Sequence, residues 1–442
     1  MKKSLLWAVI LVMSISMVAT FSLYGCKAKE EAVEEEAVVE EEAVVEEEAA
    51  EEIEKEIVTL VFANDKGWTD RNDDLSPYSE EAIGVGIESV SYPDPAQFQA
   101  LMKQSLATES GPDFLNWWSG YRLKDLVDLD LLEDLSDIWQ KHIDAGEYDP
   151  SVAEGFKVGD KYYGSLYHSN FWVILYDKAI FNEFNLEEPQ TWEEFISICD
   201  TLKAGGKTPI SSYLADRWYS LAWFEEILIR TDPALYEGVC DFSIKYSDPR
   251  VVDALKVWQD MIKKGYFPED QTIDFAEWLK NFVSGETPML LIGDWVIGNL
   301  EALDFMQGED FDCFIVPMID PTAERTMIFE TGPLAVGKKS PHLEETKALF
   351  DYWLSPEAQT IWAKVWDFAT PNKKATVPDR PIFNKYGELN LFTGEYRYIT
   401  RFYENTPVPV CEFALDKFCE IMLNPDRLEG ALAEIDEFIK TQ

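Results

Sequence analysis

The sequence predicts an α/β fold of two lobes, and three observations predict it. From Ile57 onward, short apolar strands alternate with amphipathic helices, the pattern of α/β units with mostly parallel sheets. The 386 residues from Ile57 to Gln442 exceed the size at which a single core keeps growing. With 46% hydrophobic and 14% aromatic residues, the chain has apolar surface enough to fill more than one core.

The chain opens on an address. Lys2 and Lys3 precede an apolar run from Leu5 to Leu23, and then Leu23-Tyr24-Gly25-Cys26 leads into a polar stretch. A basic start, an apolar stretch and a small residue before a cut site describe an export signal, here residues 1–26. The four residues ending at Cys26 resemble a bacterial lipobox, whose cysteine is lipidated. Tyr24 is an unusual occupant of that box. The competing reading is an uncleaved anchor, and both readings place the rest of the chain outside the cytoplasmic membrane. No later apolar run approaches the ~18 residues of a membrane span, so the sequence describes neither a channel nor a permease.

Residues 27–56 read as an acidic tether. Between Glu30 and Glu56 the motif Glu-Glu-Glu-Ala-Val-Val recurs every six residues, with 15 glutamates against Lys55 alone. A period of six fits neither a heptad nor a helical turn, and clustered glutamates repel at i,i+4. Such a segment is a self-repelling spacer with a coil-like span near ~30 Å, stretched further by its charge. The whole chain carries 83 acidic and 38 basic side chains, a net charge of −45. Beyond Glu56, 68 acidic and 33 basic side chains remain, so the globular part is acidic in its own right. A field of that sign repels phosphate backbones and argues against a nucleic-acid partner.

The elements follow in order. Ile57–Phe62 and Gly86–Tyr92 read as strands, 94–108 as a helix, and Asp113–Trp118 as a third strand. Ser247-Asp248-Pro249 supplies a cap and a first-turn proline. Val251, Val252, Leu255, Trp258, Met261 and Ile262 then keep helical spacing until Gly265. Ser355-Pro356-Glu357 opens another helix in the same way.

Enzyme and metal motifs fail on their details. Gly332–Lys338 imitates a phosphate loop, but Lys339 stands where a metal-binding Ser or Thr is needed, and Pro333–Val336 reads as strand. His142, His168 and His342 are far apart without metal spacing, and no G-x-S-x-G elbow occurs. Asp70, Asn72, Asp74 and Glu81 fall at positions 1, 3, 5 and 12 of a calcium-type loop, but Leu75 occupies the position that needs glycine. Neither cofactor nor metal is expected. Cys199, Cys240, Cys313, Cys411 and Cys419 are odd in number; Cys411 and Cys419 share one helix ~12 Å apart, too far for a bond, so buried free thiols are expected.

The tryptophans are more informative. A sugar ring stacks its C–H face on an indole while its hydroxyls bond Asp, Glu, Asn or Arg. Such pairs occur as Asn64-Asp65 with Trp68, Asn116 with Trp117-Trp118, Asn170 with Trp172, Asp216-Arg217 with Trp218, and Asp294 with Trp295. Each tryptophan taken singly is equally at home in a core. As a group at strand ends and loops, they suit a hydroxyl-rich ligand in the crevice of open α/β sheets.

Taken with these residues, the chain from Ile57 to Lys440 resembles an extracellular solute-binding protein of an ABC importer, in the large sugar-binding group that includes maltose-binding protein. Asn64-Asp65-Lys66-Gly67 is similar to the family's first sugar-contacting loop, and Gly111-Pro112-Asp113-Phe114 to its strand leading to an aromatic site, here Trp117-Trp118. Gly159–Leu166 with Phe171–Lys178 resembles the first hinge crossing, and Thr191-Trp192-Glu193-Glu194-Phe195 the helix after it. Phe282–Glu286 through Met289 to Gly293-Asp294-Trp295 resembles the stretch whose tryptophan stacks on sugar. Thr331–Gly337 with Ser355–Gln359 resembles the second crossing. Asn170 departs from relatives that carry a charged hinge residue there.

The resemblance implies a periplasmic-binding-protein-like fold, two α/β lobes joined by strand crossings around a ligand cleft. It implies one lobe of residues 57–167 and 330–367 and another of 168–329 and 368–442. Trp117, Trp118, Trp172, Trp218 and Trp295 are then expected to meet sugar rings. Asp65, Lys66, Asn116, Asn170, Asp294 and Glu330 are expected to bond hydroxyls. The implied function is capture without chemistry by a monomer, which presents a carbohydrate to a membrane permease driven by a separate ATPase. Two alternatives stay open on sequence. One is the same fold holding a polyol, peptide or polyamine; the other is a lipid-anchored glycoside hydrolase with two carboxyls ~5–9 Å apart.

Overall fold

The computed structural model describes residues 57–442 apart from 66–68, 93, 367 and 392. The export signal, Cys26, the tether, Lys66 and Trp68 lie outside the described residues. The chain runs through β1 (Val58–Asn64), β2 (Val85–Ser91), β3 (Phe114–Asn116), a small hairpin of β4 (Lys157–Val158) and β5 (Lys161–Tyr162), and the long β6 (Ser165–Asp177). After a largely helical stretch come β7 (Met289–Gly293), β8 (Phe311–Phe314), β9 (Thr326–Val336) and β10 (Arg397–Ile399).

The strand order is β2-β1-β3-β9-β6-β7, with β10 added on β9 and β8 on β6. The two long strands are shared. The first part of β6 pairs with β9, from Ser165 opposite Leu334 to Phe171 opposite Phe329; the second part pairs with β7, from Trp172 opposite Gly293 to Tyr176 opposite Met289. β9 in turn pairs β3 through Leu334–Val336 and β10 through Thr326–Ile328. A register shift between Leu166 and His168 bends β6 where the two groups of strands meet.

The expectation of mostly parallel sheets needs correction. β1 is parallel to β2 and β3, and β10 to β9, but β3–β9, β6–β9, β6–β7 and β6–β8 are antiparallel. The two long strands β6 and β9 thus run antiparallel to each other and to β7 and β3 on either side. The stretch that imitates a calcium loop is helical rather than a loop. Asp70 and Asn72 lie in the helix Thr69–Asp73 and Glu81 in the helix Ser76–Ile83, with Asp74 in the turn between, and Asn72 Oδ1 accepts a bond from the Tyr167 hydroxyl at 3.1 Å.

The helical signals act as physics requires. Asp248 caps Pro249–Lys263 by accepting from the Arg250 amide at 3.0 Å, and that helix buries Val251, Val252, Leu255, Trp258 and Met261. Gly265 ends it with a φ of 70°. Pro356–Trp366 starts with Ser355 Oγ accepting from the Ala358 amide. The helix Leu221–Thr231 is buried on every side, which forces its polar members to pair: Arg230 Nε donates to Glu226 at 2.8 Å, and Glu225 accepts from the Phe402 amide at 2.7 Å. Cys411 and Cys419 share the helix Val408–Leu423, and all five described cysteines are free. Among the described residues, no helix is long and apolar enough to cross a membrane, and no group of three or more His, Cys, Asp or Glu side chains is placed to hold a metal ion.

Candidate functional site

A cleft of about 470 Å³ opens where β6 and β9 cross from one group of strands to the other. Its wall is built from strand ends. Asp65 follows β1, Trp118 follows β3, Trp295 follows β7, and Arg401 and Tyr403 follow β10; Asn170 and Glu330 lie opposite one another on β6 and β9. Asp216 and Trp218 enter from the loop before the buried helix Leu221–Thr231, and His168, Tyr213, Leu221 and Phe275 complete the lining.

The aromatic rings form a connected group. Trp218 stands edge-on to Trp172 at 6.3 Å and lies 6.2 Å from Trp295, whose ring stacks on Phe275 at 6.0 Å. Gly293 makes this possible, because a Cβ there would stand 2.5 Å from the Trp295 Nε1 and 3.1 Å from that of Trp172.

The structure divides the sequence-predicted residues into a wall and a layer behind it. Asp65, Trp118, Asn170, Trp218, Trp295 and Glu330 reach the cleft. Asn116, Trp117, Trp172 and Asp294 are buried behind it and hold the wall in place. Asn116 Nδ2 donates to Asp65 Oδ1 at 2.8 Å, and its Oδ1 accepts from the Asp65 amide. The Trp117 indole donates to the Arg122 carbonyl at 2.8 Å, and the Trp172 indole to Glu330 Oε2 at 2.9 Å. Asp294 accepts from Asn170 Nδ2 at 2.6 Å, the Tyr386 hydroxyl at 2.8 Å and the Phe171 amide. Burial pushes its carboxyl up to about 7, with Glu330 adding to the rise and the three donors opposing it. With Asn170 Nδ2 donating to Asp294, its Oδ1 lies 2.9 Å from His168 Nδ1.

His168, Tyr213, Leu221, Phe275, Arg401 and Tyr403 were not picked out by sequence reasoning. Arg401 is the most consequential. Its Nε and Nη2 donate to the two oxygens of Glu404, its Nη1 lies 3.3 Å from Glu330, and its guanidinium rests 5.5 Å from the Trp172 ring centre and 5.6 Å from that of Tyr403. Burial disfavours its charge, but Glu330, Glu404 and Glu225 outweigh that cost and hold its pKa well above the usual value. A lone Arg after a short strand carries no sequence signal; it needs β10 paired to β9 to arrive at the cleft.

An aromatic and carboxylate-lined cleft at the crossing of two shared strands defines a ligand-binding protein of two α/β lobes. The chain belongs to the bacterial extracellular solute-binding protein family, whose model matches residues 75–389. It is 21% identical over 334 residues to an ABC transporter extracellular-binding protein of Pyrococcus horikoshii, covering 74% of this chain and 73% of that one. It is 24% identical over 241 residues to the alpha-glucosides-binding periplasmic protein AglE of Rhizobium meliloti, covering 51% and 52%. So the match spans about half the length of AglE. Among solved structures, the bacterial solute receptor AcbH, described as preferring β-D-galactopyranose, superposes with a TM-score of 0.72 at 19% identity over 87% of this chain and 98% of its own. The fold is therefore the two-lobed α/β fold of these receptors. The family is one of substrate receptors.

Proposed function

We propose that this chain is the extracytoplasmic receptor of an ABC importer that captures a carbohydrate between its lobes and delivers it to a membrane permease, without catalysis. The lobes are residues 57–167 with 330–367, and 168–329 with 368–442. Cys26 carries the lipid, and the acidic tether gives the lobes reach. The observation that carries this reading is the side-by-side placement of Trp118, Trp218 and Trp295 with Asp65, Asp216, Asn170 and Glu330 in one cleft: flat faces for sugar C–H groups beside acceptors for its hydroxyls. The names of AglE and AcbH support the same ligand class. Trp172 and Asn116 act through Glu330 and Asp65, and Asp294 through Asn170, as positioning residues.

The test is intrinsic tryptophan fluorescence of the full-length chain against neutral mono- and oligosaccharides, with polyols, peptides and polyamines as controls. A saturable shift with a sugar, lost in Trp295→Ala, is expected. A shift with a polyamine or peptide alone would replace the ligand class. Release of sugar from an oligosaccharide on incubation would replace capture by hydrolysis.

A further inference from the structure

The cleft contains an arginine, yet its electrostatics oppose an anionic ligand. Among the described residues, Arg401 is the one lysine or arginine on the wall, and its Nε and Nη2 donate to Glu404 while its Nη1 lies against Glu330. Facing it are the carboxylates Asp65, Asp216 and Glu330, with Glu404 buried behind. Three wall carboxylates against one guanidinium leave the wall at two net negative charges, and Glu404 takes the surroundings to three. The single charge of Lys66, next to Asp65 in sequence, leaves either balance negative. The negative faces of Trp118, Trp218 and Trp295 add to the same sign. Among the described residues, no lysine and no second arginine lines the cleft to repay the desolvation of a bound carboxylate or phosphate.

We propose that the cleft excludes anions: it binds a sugar in its uncharged form and rejects the same sugar when it bears a carboxylate or phosphate. This rests on the carbohydrate reading above. A uronate group about 6 Å from two net negative charges binds about tenfold more weakly even at the screening of bulk water, and the penalty grows as the cleft closes over it.

The test takes the neutral sugar that the full-length chain binds best and compares it with its uronate and 6-phosphate counterparts by titration calorimetry. The expected result is at least ~10-fold weaker binding of both acids at low ionic strength. The gap should narrow several-fold near 0.5 M salt and again in Asp216→Asn, which removes one wall charge at an exposed position and keeps an acceptor for the Tyr213 hydroxyl. Equal or tighter binding of the acids overturns the proposal while the carbohydrate reading stands. Binding of an amine with no sugar, neutral or acidic, overturns the carbohydrate reading and the proposal with it.

Discussion

Arg122 and Glu412 meet at the rim of the cleft, with Arg122 Nη2 3.1 Å from Glu412 Oε1. Arg122 sits on the helix Gly120–Asp128 that follows β3 and Trp118, and Glu412 on the helix Val408–Leu423 that follows Tyr403. The other Glu412 oxygen lies 3.1 Å from Arg217, next to Trp218, and the Arg122 guanidinium covers the Tyr403 ring at 4.0 Å. One carboxylate thus ties together segments that carry cleft-lining rings from both proposed lobes. An interaction made only when the lobes are together adds to ligand affinity without touching the ligand. Glu412→Gln should therefore weaken sugar binding about two- to fivefold, the scale of an ion pair whose arginine is buried and whose carboxylate is partly exposed. Titration of the two proteins side by side checks this, and an unchanged dissociation constant refutes it.

The wall and the layer behind it should separate under mutation. Trp118→Ala removes a face from the cleft and is expected to cost at least ~10-fold in affinity. Trp117→Phe removes an indole that bonds the Arg122 carbonyl within the core. It should lower stability by about 1 kcal/mol while leaving affinity within about twofold. Denaturant melts paired with fluorescence titrations distinguish the two; the reverse assignment of effects would mean that Trp117, and not Trp118, faces the ligand.

Asp294 gives stability a dependence on pH. Its carboxyl is raised from 3.8 to about 7 in the folded protein, so between those values the folded state holds a proton that the unfolded state has lost. The group therefore favours folding at low pH, and this contribution declines as pH rises to about 7, above which it is constant. Asp294→Asn lacks a titrating group there. Thermal melts from pH 5 to 8 should fall more steeply with pH in the native protein than in the variant, and parallel curves would contradict the assignment.

Gly120 adopts a φ of 60°, and a Cβ there would stand 2.1 Å from the Glu404 carbonyl oxygen. Gly120→Ala should push the segment carrying Arg401, Tyr403 and Glu404 away from helix Gly120–Asp128. A loss of a few kcal/mol in stability and a weakened sugar response are expected together. Chemical denaturation with a matched titration tests both, and a variant of native stability would show that the contact yields without cost.

Much of the fold was legible because its strands and caps are local signals. Val58–Asn64, Val85–Ser91 and the capped helix at Asp248 announce themselves within a few residues. The site was legible only to the dipeptide. Trp117-Trp118 and Asp294-Trp295 each identify a strand end, but which neighbour faces the cleft depends on how the chain leaves the strand. The polar–aromatic pattern therefore picked out segments that border the cleft and mixed wall residues with the layer behind them. His168, Phe275, Arg401 and Tyr403 escaped because each arrives through pairing or packing between segments far apart in sequence, and the antiparallel returns of β6 and β9 escaped for the same reason.

The sharing of β6 and β9 also sets an order of events when the chain is made. β3 has its parallel partner β1 within reach early, but its other edge is closed only by Leu334–Val336. Until that segment has been synthesised, the first group of strands carries an open edge of the kind that pairs with other chains. Such distant closure also slows folding. Neither group of strands is therefore complete as a separate fragment until Thr326–Val336 has been made.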